Sequence, residues 1–185
     1  MRDATFNVYA AVAIFALALG SVPAPSNAAT VFPSITGQNL NGQTLNLPSD
    51  FQAPASIVFI AFVRAQQAQV DTWKAFVADV RRRYPPIGAY EVPTLPKVDA
   101  LFRWFIDGGM RRGIPDTAAR DVTITLYIDK GPFDDALGIA SESDITVLLL
   151  KPTGAILWRT TGAFTAAKGA GLMDVLGGLD PVDAH

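Results

Sequence analysis

The hydrophobic pattern along this chain changes period several times, and each change marks a new element. Leu40-Asn41-Gly42-Gln43 stands between two extended stretches, and Leu45 and Leu47 alternate after it. Asn-Gly supplies the positive φ angles of a type I′ turn, so a hairpin is predicted, ended by Pro48 and Ser49-Asp50. Residues 56–63 form an unbroken apolar run rich in β-branched and aromatic side chains. Such a run reads as a strand buried on both faces, typical of a central parallel sheet. The period then lengthens. Val70, Trp73, Val77, Val80 and Tyr84 recur at helical spacing, which predicts a helix over 66–83. Arg81-Arg82-Arg83 closes it, where cations favour the negative end of the helix dipole, and Pro85-Pro86 stops it.

Residues 87–95 predict a short strand. Pro96 leads into a second helix with Val98, Leu101, Phe102, Phe105 and Ile106 on one face, expected to end at Gly108-Gly109. Residues 121–128 alternate as a strand does, and 132–137 make a short helix with proline in its first turn. A second buried strand at 145–150 is followed by the turn Pro152-Thr153-Gly154 and an antiparallel partner at 155–161. Thr165 caps a last helix running to about residue 176, although Gly169 and Gly171 weaken it. This order predicts an α/β fold: a mixed central sheet with helices on both faces and an N-terminal β-hairpin.

Composition removes most of the usual chemistry. The 185 residues contain no cysteine, and the single histidine is the terminal His185. Thiol nucleophiles, disulfides, Cys/His metal sites and histidine bases are thereby excluded, unless the terminal residue is recruited. No cofactor and no metal is expected. A net charge of −2 offers no basic field for nucleic acid or anionic lipid.

The N-terminus carries its own signal. Arg2 precedes an apolar run over 8–19, then Gly20, Pro23 and Pro25 break any helix, and Ser26-Asn27-Ala28 places small side chains at a cleavage site. The run is about half of the ~20 residues that span a bilayer. Residues 1–28 are therefore expected to be a signal peptide, with Ala29 as the alternative cleavage point. Residues 29–185 form the exported domain, periplasmic or secreted, with no stable membrane span left after cleavage.

The run LNGQTLNLPSDF…SIVFIAF, then a helix, then DITVLLLKPTGAILWRTTGAF and a closing helix, resembles the thioredoxin-like superfamily. The likeness is nearest to its exported, peroxiredoxin-type and TlpA-type branch and covers about residues 32–176. A more distant likeness is to ATP10-type assembly factors, which carry a similar strand-turn-strand. The resemblance implies a Cys-x-x-Cys or a lone peroxidatic cysteine just after the strand at 57–63. This chain has Gln67 and Val70 near those slots. It has Ile145 where the family places a cis-proline, and a trans bond is expected there, since a non-proline cis bond costs about 3 kcal/mol. Thiol exchange and peroxide reduction both need a thiolate. Neither is open to this chain.

Two segments remain as candidate ligand sites. Arg64, Gln66 and Gln67 lie where a strand hands over to a helix, and free backbone N–H groups with Arg64 would favour an anion there. The plainer reading is three glutamines solvating a helix start. Arg111, Arg112 and Arg120, in a glycine-containing stretch with Asp116, could grip a carboxylate or phosphate bidentately, or an Arg–Asp cluster could pin a long loop. Trp104 lies off the apolar face of its helix, either as an exposed partner anchor or beneath that loop. Asp129, Asp134, Asp135, Glu142 and Asp144 admit an oxygen-ligand cation site, with helix-start charge as the ordinary explanation. The resulting expectation is a binding or assembly module for a protein partner or a small anionic ligand. The alternative is a non-redox enzyme acting on an anionic substrate through the loop from Arg111 to Arg120.

Overall fold

A computed structural model describes residues 31–84 and 86–179; the expected signal peptide and His185 lie outside them. The predicted hairpin is β1 (Ile35–Asn39) and β2 (Thr44–Leu47). Its turn differs from the expected type. Gly42 N–H donates to Asn39 O at 2.9 Å, Gly42 has φ +88°, and no non-glycine residue has positive φ among the described residues. The connection is thus a tight turn followed by a left-handed glycine, the three-residue solution rather than type I′. Asn39 fixes it by accepting from Asn41 N and Gln43 N.

The buried run forms β3 (Ala55–Ala61). A single 3₁₀ turn (Arg64–Gln66), α1 (Gln67–Asp71) and α2 (Lys74–Arg83) follow it. The expected single helix over 66–83 is therefore broken at Thr72-Trp73, where Thr72 N and Trp73 N bond back three residues rather than four. Next come β4 (Ile87–Pro96), α3 (Ala100–Gly113), α4 (Thr117–Asp121), β5 (Ile124–Ile128), α5 (Lys130–Leu137), β6 (Thr146–Leu150), β7 (Ile156–Thr161) and α6 (Ala166–Gly177). As the sequence predicts, Thr165 caps α6, its side chain accepting from Lys168 N.

The seven strands form one sheet in the order β2-β1-β5-β4-β3-β6-β7. β3 runs parallel to β4, and β4 to β5; the other pairings are antiparallel. Alternation along β3 sends Val58 and Ile60 to one core with α5, and Ile57 and Phe59 to a second core with α1, α2 and α6. Helices cover both faces. Trp73 is fully buried in the second core among Phe59, Phe76, Trp158 and Phe164, and its Nε1–H donates to Gly162 O at 3.1 Å.

Two expectations fail in the same region. The second helix does not stop at Gly108-Gly109 but continues to Gly113, and Asp116 opens a helix, α4, where a loop is expected. Two glycines in a helix cost about 1 kcal/mol each relative to alanine. Here long-range contacts from Arg111 and Arg120 hold the last turn.

Candidate functional site

The segment after β3 lies where the fold places ligands, at the carboxyl end of a parallel strand. Two of its glutamines, Gln66 and Gln69, turn inward, while Arg64 and Gln67 are exposed. Gln66 is 4% exposed; its Oε1 accepts from Phe62 N at 2.7 Å and Val63 N at 3.3 Å, and its Nε2 donates to Glu142 O at 2.6 Å. Gln69 reaches the same neighbouring loop, donating to Asp144 Oδ1 at 2.7 Å and accepting from Ile145 N at 3.0 Å. Three backbone donors of this region, Phe62 N, Val63 N and Ile145 N, are thus satisfied by glutamine oxygens. Gln67 donates to Asp71 and, more weakly, to Glu91. Burial pushes the Glu91 carboxyl up, against the lowering effect of that bond and of Lys74. Lys74 holds Asp71 below its usual range and is itself raised by the pair. The Arg64 side chain makes no hydrogen bond or ion pair among the described residues.

The Ile145 slot carries a trans peptide; the only cis bond among the described residues is Leu47-Pro48. The segments around Gln66 and Ile145 meet as the thioredoxin-like resemblance implies, joined by glutamines instead of facing each other across a thiol.

The arginine-rich segment is also inward-bound. Arg111 Nε–H donates to Leu40 O at 2.8 Å. Arg120 donates to Ile114 O at 2.6 Å and Arg111 O at 2.8 Å. The Asp116 carboxylate accepts from Ala118 N and caps α4, and it forms no ion pair with an arginine among the described residues. These contacts tie α3 and α4 to each other and to the β1–β2 turn, so two of the three guanidiniums serve backbone carbonyls. Arg112 is exposed and has no hydrogen bond or ion pair among the described residues.

The feature that sequence reading left open is the orientation of α3. The apolar side that its spacing predicts faces solvent: Leu101 is 73%, Phe102 60%, Trp104 68% and Phe105 66% exposed. The side facing the sheet is polar: Arg103, Asp107 and Arg111 recur four apart, which stacks them on one helix face. Arg103 lies over the Tyr127 ring at 5.0 Å and donates to Val98 O, and Asp107, 8% exposed, accepts from the Tyr127 hydroxyl at 2.8 Å. Burial, then the Asp107 carboxylate, push the Tyr127 hydroxyl well above its ordinary pKa. The helix is amphipathic and inverted. Trp104 is exposed, not beneath a loop.

Acidic groups outside this region do not gather into a metal site; no cluster of three or more His, Cys, Asp or Glu able to hold a metal ion occurs among the described residues. Asp134 sits beside Glu142, which is paired with Lys130. Burial, then the neighbouring carboxyl, push Asp134 up to about 6. No described helix is long and apolar enough to cross a membrane.

Neither a family model nor a curated protein matches this chain. Solved structures do. A putative electron transport protein from Aquifex aeolicus superposes with a TM-score of 0.57 at 11% identity, over 80% of this chain and 95% of that one. Yeast Sco1 with copper bound gives 0.55 at 10% identity, over 83% and 96%. BsSco, a member of the Sco family of cytochrome c oxidase assembly proteins, gives 0.52 at 15% identity, over 80% and 93%. The fold is thioredoxin-like. The sequence that takes this fold contains no cysteine. The likeness to ATP10-type assembly factors has no counterpart among these three structures.

Proposed function

We propose that this protein is an exported thioredoxin-like domain that has no thiol chemistry and works as a binding or assembly module, with the outer face of α3 as its contact surface for protein. The observation that carries this reading is the exposure of Leu101, Phe102, Trp104 and Phe105 on a helix whose polar side is docked on the sheet. Soluble proteins rarely leave contiguous apolar patches of this kind uncovered, and aromatic residues are the commonest anchors of protein contacts. The glutamine-filled loop at β3 and the guanidiniums bound to carbonyls favour protein over a small anion. Two of the structural neighbours belong to the Sco group, one of them described as a cytochrome c oxidase assembly protein, which fits an assembly role.

The test is co-purification of the tagged protein with its partners from its own extracytoplasmic fraction. The Phe105→Asp variant should lose the specific bands while keeping its melting temperature. Equal recovery by both forms would overturn the reading. So would catalytic turnover by the purified protein that a single substitution abolishes.

A further inference from the structure

The outer face of α3 has two unlike halves. Leu101, Phe102, Trp104 and Phe105 fill the N-terminal half; Gly108 and Gly109 leave the C-terminal half low. A Cβ at either glycine would meet nothing within 4 Å except the Arg112 guanidinium, at 3.8 Å from Gly108 and 4.0 Å from Gly109. The Arg112 side chain therefore lies back toward the two glycines, its guanidinium without a hydrogen bond or ion pair among the described residues.

Leu101, Phe105, Gly108 and Arg112 form one stripe with spacings of four, three and four residues, the same in both directions. A two-fold axis crossing the helix between residues 106 and 107 brings Phe105 level with Gly108 of a second copy, and Leu101 level with Arg112. The aromatic half of one helix then enters the low half of the other, and its rings meet a planar guanidinium. Arginine on an aromatic face is attractive when water is excluded. Helices pack most closely where one side is glycine.

We infer that α3 is the interface of an antiparallel, two-fold homodimer, in which Trp104 and Phe105 of each copy stack on Arg112 and fill the glycine step of the other. This rests on the reading of α3 as a contact surface and names its occupant. Three aromatic side chains and a leucine, each about two-thirds exposed, offer on the order of 500 Å² per copy. Two copies together cover about 1,000 Å², the lower edge of stable association. The dimer is therefore weak and concentration-dependent.

Sedimentation velocity on the purified protein from 1 to 200 μM tests this. The weight-average coefficient should climb from monomer toward dimer. Phe105→Asp should remove the climb, and Arg112→Glu should weaken association at least tenfold, both with unchanged melting temperature because each residue is exposed. The cysteine-free background supplies a second test: a Gly108→Cys variant lies near the axis and should oxidise to a linked dimer at micromolar concentration, whereas Thr153→Cys should not.

A monomer at every concentration, with equal oxidation of both cysteine variants, overturns the homodimer. If the tagged protein still loses its co-purifying bands on Phe105→Asp, the contact-surface reading survives and the occupant is a different protein. Flotation of the monomer with vesicles containing 30% phosphatidylglycerol, abolished by Phe105→Asp, overturns the homodimer in favour of lipid.

Discussion

The Tyr127 hydroxyl donates to the Asp107 carboxylate at 2.8 Å, and this bond decides which side of α3 meets the sheet. Asp107 is the one residue of α3 in the buried class, and Tyr127 is on the sheet face opposite Leu126 and Ile128. With the carboxylate anchored there, Arg103 and Arg111 fall on the same side, one over the Tyr127 ring and the other on Leu40 O. Helical geometry then leaves Leu101 and Phe105 no choice but solvent.

Removing the hydroxyl isolates a buried carboxylate. Tyr127→Phe should therefore destabilise the fold by about 1–3 kcal/mol, the usual cost of an unsatisfied buried group. Urea denaturation measures it. Adding Asp107→Leu should recover part of the loss, because two apolar side chains leave nothing unpaired; a double mutant less stable than Tyr127→Phe would show that Asp107 has another essential partner. Limited proteolysis should cut residues 97–121 sooner in Tyr127→Phe than in the parent.

Gln66 makes the same kind of argument two strands away, just beyond the end of β3. Its amide satisfies two backbone donors and one carbonyl from a loop 76 residues away. Gln66→Ala should cost about 3 kcal/mol, since three groups lose their partner together. Gln66→Glu preserves shape and the acceptor but cannot donate to Glu142 O when ionised, so an intermediate loss is expected. If both variants melt with the parent, the side chain is not the tie between the two loops.

Much of the fold is written locally. The apolar runs of β3 and β6 have no solvent side, so burial on both faces is the one arrangement that satisfies them, and Thr165 announces the start of α6. α3 shows where local reading ends. Its apolar stripe is real, but which side of a helix faces a sheet depends on partners distant in sequence, here Tyr127 and Leu40. Its length is equally non-local, because Arg120 reaches back to Arg111 O and Arg111 to Leu40 O across what the glycines mark as an ending. The candidate anion sites meet the same limit: arginine and glutamine in such stretches attract anions and backbone carbonyls alike, and only the folded chain shows which are within reach. Gln69, which closes the loop onto Ile145, has no local signal apart from its neighbouring glutamines.

The Asp134–Glu142 neighbourhood predicts a pH dependence. The Asp134 carboxyl is pushed from 3.8 up to about 6 in the folded protein, so between roughly these values the native state holds a proton that the unfolded state releases. Stability from this group is greatest in acid, falls as pH rises through 4 to 6, and stays reduced above that. Glu91, also raised by burial, acts in the same direction, and Asp71, lowered by Lys74, acts against it, so the diagnostic is a difference. Asp134→Asn should raise the melting temperature at pH 7.5 relative to the parent and shrink the gap toward pH 4. A constant gap across that range would show that the carboxyl titrates normally.

The slots to which the thioredoxin-like resemblance assigns thiols can be probed by placing thiols in them. Gln67 begins α1 and is exposed, whereas Val70, one turn further on, is 3% exposed against the second core. Thiol reactivity follows access and thiolate character, so Gln67→Cys should react with an aromatic disulfide reagent at the rate of an accessible thiol. Val70→Cys should react only on unfolding, with a rate that rises in step with urea. Because the parent has no sulfur nucleophile, each trace reports one position without background. Fast labelling of Val70→Cys in the native protein would mean that α1 does not lie on the sheet, and the glutamine-closed loop beside Ile145 would have to be redrawn.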